Sequence, residues 1–419
     1  MIVTCGPEYN AYVGVLEVVA GKEAKLETKL VRAVDTAGWV STDFHSHSSP
    51  SGDNVSSQTG RVLNLLGEHV EFAPCTEHAR IDTYDAALAK LGAARLLASC
   101  PGIELTGSPL PLNHQNAFPL LHKPRTQNGG GPTTDVDPAK QIERLALWDN
   151  KSDKLVQQNH PNLQQLLKDK DLDGKPDGGF SGVFGFMDVV EVHPPHEIFL
   201  PENPDKPGTN TMRQWMRLLN LGYRVPGVVN TDAHYNFHGS GFLRNYVRSR
   251  TDEPAKIKPL DIAHEAEAGH VVITNAPFLE AEVVADEPRE RPARGIPGDV
   301  VAAPGGKVQL RIRVQCANWY DVNRVQVFGN GRPIAELNFT RRTHPERFAD
   351  GVVKFSANLP VTLDKDTHLI VAAAGEGLTI GRYYGPQFGS MMPIAVSNPI
   401  FIDVAGDGFQ PNGDQLDLK

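Results

Sequence analysis

The chain has little cysteine: four in 419 residues, Cys5, Cys75, Cys100 and Cys316, far apart and without paired spacing. That argues against a disulfide scaffold and a zinc ribbon, and buried thiols are the expectation. An excess of positive charge is also missing. Lys+Arg 41 against Asp+Glu 50 gives a net charge of -9, and the basic residues are scattered, so nucleic acid is not an expected partner. No apolar run approaches the roughly 20 residues of a spanning helix. The start, Met1-Ile2-Val3-Thr4-Cys5-Gly6, lacks the charged and apolar regions of a signal peptide. As written, the chain is expected to be cytoplasmic with no membrane partner; a native start lying upstream would make it exported or periplasmic. No Gly-x-Ser-x-Gly elbow offers a serine nucleophile, and no aromatic cluster marks a groove.

What is present is one recurring unit, a short apolar run ending in metal-ligand side chains. Asp43-Phe44-His45-Ser46-His47, Cys75-Thr76-Glu77-His78, Gly102-Ile103-Glu104, Asn113-His114, Asn159-His160-Pro161 and Thr231-Asp232-Ala233-His234 all fit it. On an extended strand, residues two apart point to the same side, so His45 with His47, and Asp232 with His234, can each chelate one ion. Glu77 would point away from His78, which suits a supporting role. Glu104 emerges from an apolar stretch and needs a partner, which a metal or a buried arginine would supply. Asp53, His114 and His160 are weak signals individually and gain value from company. Imidazole and carboxylate hold a divalent ion only when several converge, and the strand ends of a parallel α/β unit bring distant segments to one mouth.

At 45.7 kDa the chain exceeds what one core usually organises. Residues 1–38 read as an N-terminal β-segment, the end of a truncated β-module, with alternation over Tyr12–Val19 and Lys25–Val31 suggesting a hairpin. Residues 39–285 alternate short apolar strands with helix-like segments at Tyr84–Leu91, Ala139–Leu147 and Thr211–Leu219. That is the layout of a parallel barrel or a wound sheet. After the Pro- and charge-rich linker Asp286–Pro292, residues 286–405 show short alternating strands at Val308–Val314, Val325–Phe328, Val352–Phe355 and His368–Ala372, expected to form a β-sandwich-like domain. Residues 406–419 read as a loose tail.

The order His-x-His, Asp, Glu-His, Glu, His, His, Asp-x-His, over about Trp39 to Ala276, resembles the polymerase-and-histidinol-phosphatase (PHP) domain. Phe44-His45-Ser46-His47-Ser48-Ser49-Pro50-Ser51-Gly52-Asp53-Asn54 and His114-Gln115-Asn116-Ala117-Phe118-Pro119-Leu120 look like its carbaryl-hydrolase-like (CehA/McbA) branch, whose members often carry flanking β-modules. The resemblance implies a distorted (β/α)7 barrel holding two or three divalent ions. Matched by position, His45, His47, Glu104 and Asp232 would hold one ion; Glu104 would bridge to a second with His114 and His160; Asp53, His78 and His234 would hold a third. Histidine with carboxylate suits zinc, manganese or iron.

The chemistry expected of that arrangement is hydrolysis of a small-molecule ester by a metal-bridging hydroxide, with His45, His47, Glu104, Asp232 and His234 at its centre. A phosphoester is the first expectation and a carbamate or carboxylic ester the alternative. An amidohydrolase-like barrel also begins with His-x-His, but Glu104, the Asp-x-His ending and the early Asp53 favour the PHP type. A non-catalytic glycan- or partner-binding protein is the reading from another class. Arg80, Glu191, His193 and His238 are candidate substrate contacts. Separately, Asp169-Lys170-Asp171-Leu172-Asp173-Gly174-Lys175-Pro176-Asp177 matches the opening of a calcium loop, with Asp169, Asp171, Asp173 and Asp177 as ligands, although Phe180 stands where the closing glutamate belongs.

Overall fold

The computed structural model describes every residue except 109–111, 204–205, 207, 236–238, 287–292 and 419, so most of the expected linker, and His238, lie outside the described residues. The fold is mixed α/β. A five-stranded sheet runs in the order Ile103–Thr106, His114–Phe118, Leu155–Gln158, Val189–Glu191, Gly227–Val228. Its first two pairings are antiparallel and its last two parallel. Helices follow where local signals start them. Ser57 caps Gln58–Gly67 by accepting from the Gly60 N–H, and Asp137 caps Pro138–Ala146 with proline in the first turn. Asn210 caps Thr211–Asn220, which buries Met212, Trp215, Leu218 and Leu219.

Regular strand pairing does not make a closed seven-stranded barrel, and the expectation of one is corrected to that extent. Trp39–Thr42 pairs antiparallel with Arg244–Arg248 inside a separate nine-stranded sheet. The segments around Phe72, Ala98 and Pro101 meet their neighbours at isolated bridges, parallel for Thr42 with Phe72, Phe72 with Ala98, Cys75 with Pro101 and His78 with Glu104 and antiparallel for Asp82 with Gly102, and Ser46 bridges Ala233 in the same isolated way. Pro74 and Pro101 lie in these segments; a proline has no N–H to donate, so a continuous ladder breaks there.

The nine-stranded sheet runs Val300–Ala302, Ile400–Asp403, Thr367–Ala374, Ile394–Ser397, Val271–Thr274, Arg244–Arg248, Trp39–Thr42, with Arg324–Gly329 and Arg332–Thr340 branching from Thr367–Ala374. It therefore joins segments from both sides of the linker. Alternate residues of its strands serve two cores: Ile370, Ala372 and Ala374 face the cluster shared with Phe44, Val190 and Trp215, whereas Leu369, Val371 and Ala373 face the cluster shared with Leu310 and Leu359. Across that second cluster lies a four-stranded sheet of Arg294–Gly295, Phe278–Ala285, Lys307–Gln315 and Val353–Thr362. The carboxy-terminal third is thus two sheets packed on one core, and strands 271–274 and 278–285, placed by sequence with the catalytic unit, pair with strands beyond the linker.

Two expectations fail at the ends. The hairpin over Tyr12–Val19 and Lys25–Val31 does not form; Ile2–Val3 pairs with Tyr12–Val13 instead. Val15 and Val18 are exposed, since nothing covers an apolar stripe there and an isolated strand pair is marginal. Residues 406–419 are not a loose tail. Phe409 and Leu416 are buried, Arg332 pairs with Asp414 and Asp417, and Arg213 donates to the Leu416 carbonyl at 2.7 Å. Among the described residues, no helix is long and apolar enough to cross a membrane.

Candidate metal centre

Glu104 organises the centre. Its strand Ile103–Thr106 is buried, and its carboxylate, with no exposed surface, is met by imidazoles from four other segments. His45 Nε2 lies 3.2 Å from Oε1 and His114 Nδ1 3.1 Å from it, while His78 Nδ1 lies 2.5 Å from Oε2 and His47 Nε2 3.7 Å from it. His160 Nε2 is 3.9 Å from Oε1. Asp232 Oδ1 closes the His45–His47 pair, 3.2 Å from one Nε2 and 2.9 Å from the other. On the other side Asp53 Oδ2 lies 3.1 Å from His78 Nε2 and 3.3 Å from His234 Nε2. The structure brings all nine of the expected ligand residues into one neighbourhood.

These side chains form overlapping groups whose ligand atoms lie within 4.8 Å of one another: His45, His47, Glu104; Glu104, His114, His160; and His47, His78, His234. The first two correspond to the first two expected sets. In the third, His47 stands with His78 and His234, their rings 4.0 and 4.5 Å from it.

The arrangement fits divalent ions on its own geometry. His45 Nε2 and His47 Nε2 lie 3.0 Å apart, two nitrogens turned toward the same carboxylates, which a shared cation reconciles. His114 Nε2 is buried with no hydrogen-bond partner among the described residues, a costly state for an imidazole unless something else engages it. Imidazole nitrogen mixed with carboxylate oxygen is the donor set of zinc, manganese or iron.

Electrostatics run the same way. Burial alone would raise Glu104, but charge on His45 and hydrogen bonds from His114, His45 and His78 hold it well below the usual carboxylate range. Burial would lower His45, yet Asp232, Glu191 and Glu104 keep it well above the usual imidazole value. His47 is pushed down to about 4, chiefly by burial. Asp232 is lowered to about 2 against its own burial by His45 and His47. His45 and the carboxylates beside it thus favour their charged forms, whereas burial favours the neutral form of His47.

A surrounding layer of hydrogen bonds holds these side chains in place. Asn159 Nδ2 donates to Glu104 Oε1 at 2.9 Å and the Thr106 hydroxyl to Oε2 at 2.8 Å. Ser51 Oγ lies 3.3 Å from His47 Nδ1 and donates to Glu77 at 2.6 Å; Glu77, fully buried, also takes the Ser48 N–H and hydroxyl. Its expected supporting role is what its contacts describe. Buried Asp43 accepts from the Thr231 hydroxyl at 2.5 Å and the Thr231 N–H at 3.2 Å, and burial raises it to about 6.

Glu191 also lies against the centre, one of its oxygens within 4.8 Å of a ring nitrogen of His45 and of His160. Read from sequence as a substrate contact, it is almost fully buried, with Oε1 2.9 Å from His45 Nδ1 and accepting from Gln157 and Asn230, and Oε2 accepting from the His160 N–H. With its oxygens so engaged it orients His45, a partner metal-binding histidines ordinarily have. His193 is half-buried, its Nε2 3.5 Å from Glu191 Oε2, and Arg80 pairs with Asp82. Asn159, Thr106, Ser51, Gln157 and Asn230 were missed; only their position beside a ligand or at a strand end hinted at them.

Beside Asp232 and His234 opens a cavity of about 290 Å³ lined also by Tyr235, Phe242, Gln387 and Phe388. Phe242 and Phe388 stack, ring centroids 3.8 Å apart, so the carboxy-terminal third supplies part of the wall.

No family model and no curated protein matches the chain. Among solved structures it is similar to a two-domain protein from Bacteroides vulgatus ATCC 8482, described as containing a predicted PHP-like metal-dependent phosphoesterase. The identity is 14% and the TM-score 0.41, over 90% of this chain and 100% of that one.

Proposed function

We propose that this chain is a PHP-type metal-dependent hydrolase that cleaves an ester bond in a small molecule, with a phosphoester as substrate. The observation that carries the reading is the buried Glu104 carboxylate ringed by His45, His47, His78 and His114. Three sets are proposed as ligands for two or three ions of zinc, manganese or iron: His45, His47, Glu104 and Asp232; Glu104, His114 and His160; Asp53, His78 and His234. Such ions supply Lewis acidity toward the substrate's oxygen and acidify water. The chain's own residues do the positioning. Glu191 turns His45 so that Nε2 faces inward, Asn159 and Thr106 fix both oxygens of Glu104, and Asp53 joins His78 to His234. Bound cations would also invert the field of an acidic pocket, which suits an anionic phosphoryl group.

The parallel bridges support the finer fold reading. They link residue 42 to 72, residues 72, 75 and 78 to 98, 101 and 104 at the edge of the five-stranded sheet, and residue 233 back to residue 46. On this reading the segments follow one another around a distorted seven-membered ring, the proposed (β/α)7 barrel, with the proposed ligands at its rim. His193, Arg80 and His238 stay as proposed substrate contacts.

The stacked Phe242 and Phe388 beside Asp232 favour a second reading, an aryl carbamate or carboxylic ester of the carbaryl-hydrolase type. A panel of aryl phosphates, phosphodiesters and aryl carbamates, assayed with manganese and with zinc, separates the two. Turnover of a phosphoester that needs added metal and falls by about 10³-fold or more in His45→Ala is expected, a loss of about 4 kcal/mol in transition-state stabilisation. Carbamate turnover without phosphoester turnover under either metal transfers the assignment to the second reading.

A further inference from the structure

The acidic loop after the short helix Leu163–Leu167 is not used by the centre described above. Asp169, Asp171 and Asp173 each bring one carboxylate oxygen to within 4.8 Å of the other two. Clustered surface acids often mean nothing, but Asp169 is not at the surface: it is 1% exposed. Its Oδ2 accepts the Gly174 N–H at 2.9 Å, and its Oδ1 is buried without a hydrogen-bond partner among the described residues. A buried carboxylate oxygen left in that state is destabilising, and a cation held with Asp171 and Asp173 would relieve it.

The backbone already has the required course. Gly174 sits at φ +84, where a side chain is disfavoured. Asp171 Oδ1 accepts from the Asp173 N–H and Asp173 Oδ1 from the Lys175 N–H. Asp177, eight residues after Asp169, is fixed by the Lys170 and Gly179 N–H groups. The Lys175 ammonium, 3.4 Å from Asp173 Oδ2, belongs to an exposed side chain that is free to swing away.

We infer that residues 169–177 form a calcium site, with Asp169, Asp171, Asp173 and Asp177 supplying side-chain oxygens. An all-oxygen, flexible donor set is what calcium takes and what zinc or iron does not prefer. Phe180 stands where a closing bidentate glutamate would complete the shell, so the affinity is set in the weak range, about 10⁻⁴–10⁻³ M.

The test uses the full chain loaded with manganese, titrated with calcium chloride in a calorimeter beside the Asp171→Asn/Asp173→Asn variant. One calcium-binding event present in the wild type and lost in the variant is expected. Hydrogen exchange on the wild type alone guards against a misfolded variant: calcium should slow exchange in peptides covering 168–180, and magnesium at the same concentration should not. Equal calcium heats in both proteins, loop exchange unchanged by calcium, or equal protection by magnesium would each overturn the assignment.

Discussion

At the scale of single residues, the centre depends on which groups face inward and which hold them there. Glu191 touches His45 Nδ1 and leaves Nε2 for the interior. Glu191→Gln is isosteric but cannot accept at both oxygens, so it should weaken metal affinity by about 10–100-fold while the fold persists. Metal content after dialysis against a graded chelator series, beside circular dichroism, measures this; unchanged retention would remove Glu191 from the positioning role. The sequence made the inward-facing groups legible because ligand chemistry needs rare residue types in a fixed order. It did not show what Glu191 and Asn159 touch, because an amide or an acid at a strand end looks the same whether it faces solvent or a neighbour's imidazole, and only the meeting of strands 155–158, 189–191 and 227–228 decides it.

At the scale of elements, local signals carried the helices and the longer strands. Pro138 after Asp137, and the Trp215 face of Thr211–Asn220, are visible in sequence and present in the fold. Where the signal was only alternation with no burying partner, as over residues 12–31, the expectation failed. The loop–strand junction at His270 shows a contact that sequence could not give. His270 Nδ1 lies 2.5 Å from Glu265 Oε2 on helix Pro259–Glu267, and Nε2 3.2 Å from Asp299 Oδ1. These two hydrogen bonds raise its pKa from 6.5 to about 9. Because the folded value lies above the unfolded one, the stabilisation is fully present below pH 6.5 and is lost as pH rises through about 9. His270→Asn should therefore cost about 1 kcal/mol near pH 6, discounted for partial exposure, and almost nothing near pH 10. Urea unfolding of both proteins at the two pH values checks it; a deficit that grows with pH would contradict the pairing.

At the scale of the whole molecule, residues 406–418 act as a strap. Leu416 is fully buried near Met216 and Gly331, and Asn220 donates to the Asp414 carbonyl. Leu416→Ala should lower stability by about 2–5 kcal/mol, seen as a shift in the denaturation midpoint; a midpoint unmoved would restore the loose-tail picture. Pairing across residue 286 was the least legible feature, since proline and charge in the sequence carry no information about which distant strands 271–274 and 278–285 will meet.

Strand Thr367–Ala374, buried along its whole length with odd and even residues turned to different interiors, has a consequence for how such chains can diversify. A one-residue slip would exchange its two sets of side chains, so neither half of the molecule can drift alone at this strand. A chimera that borrows a carboxy-terminal third from elsewhere would have to import a matching surface for the ligand-bearing half as well, and grafts cut at residue 286 should yield insoluble material where grafts that also carry 271–285 do not.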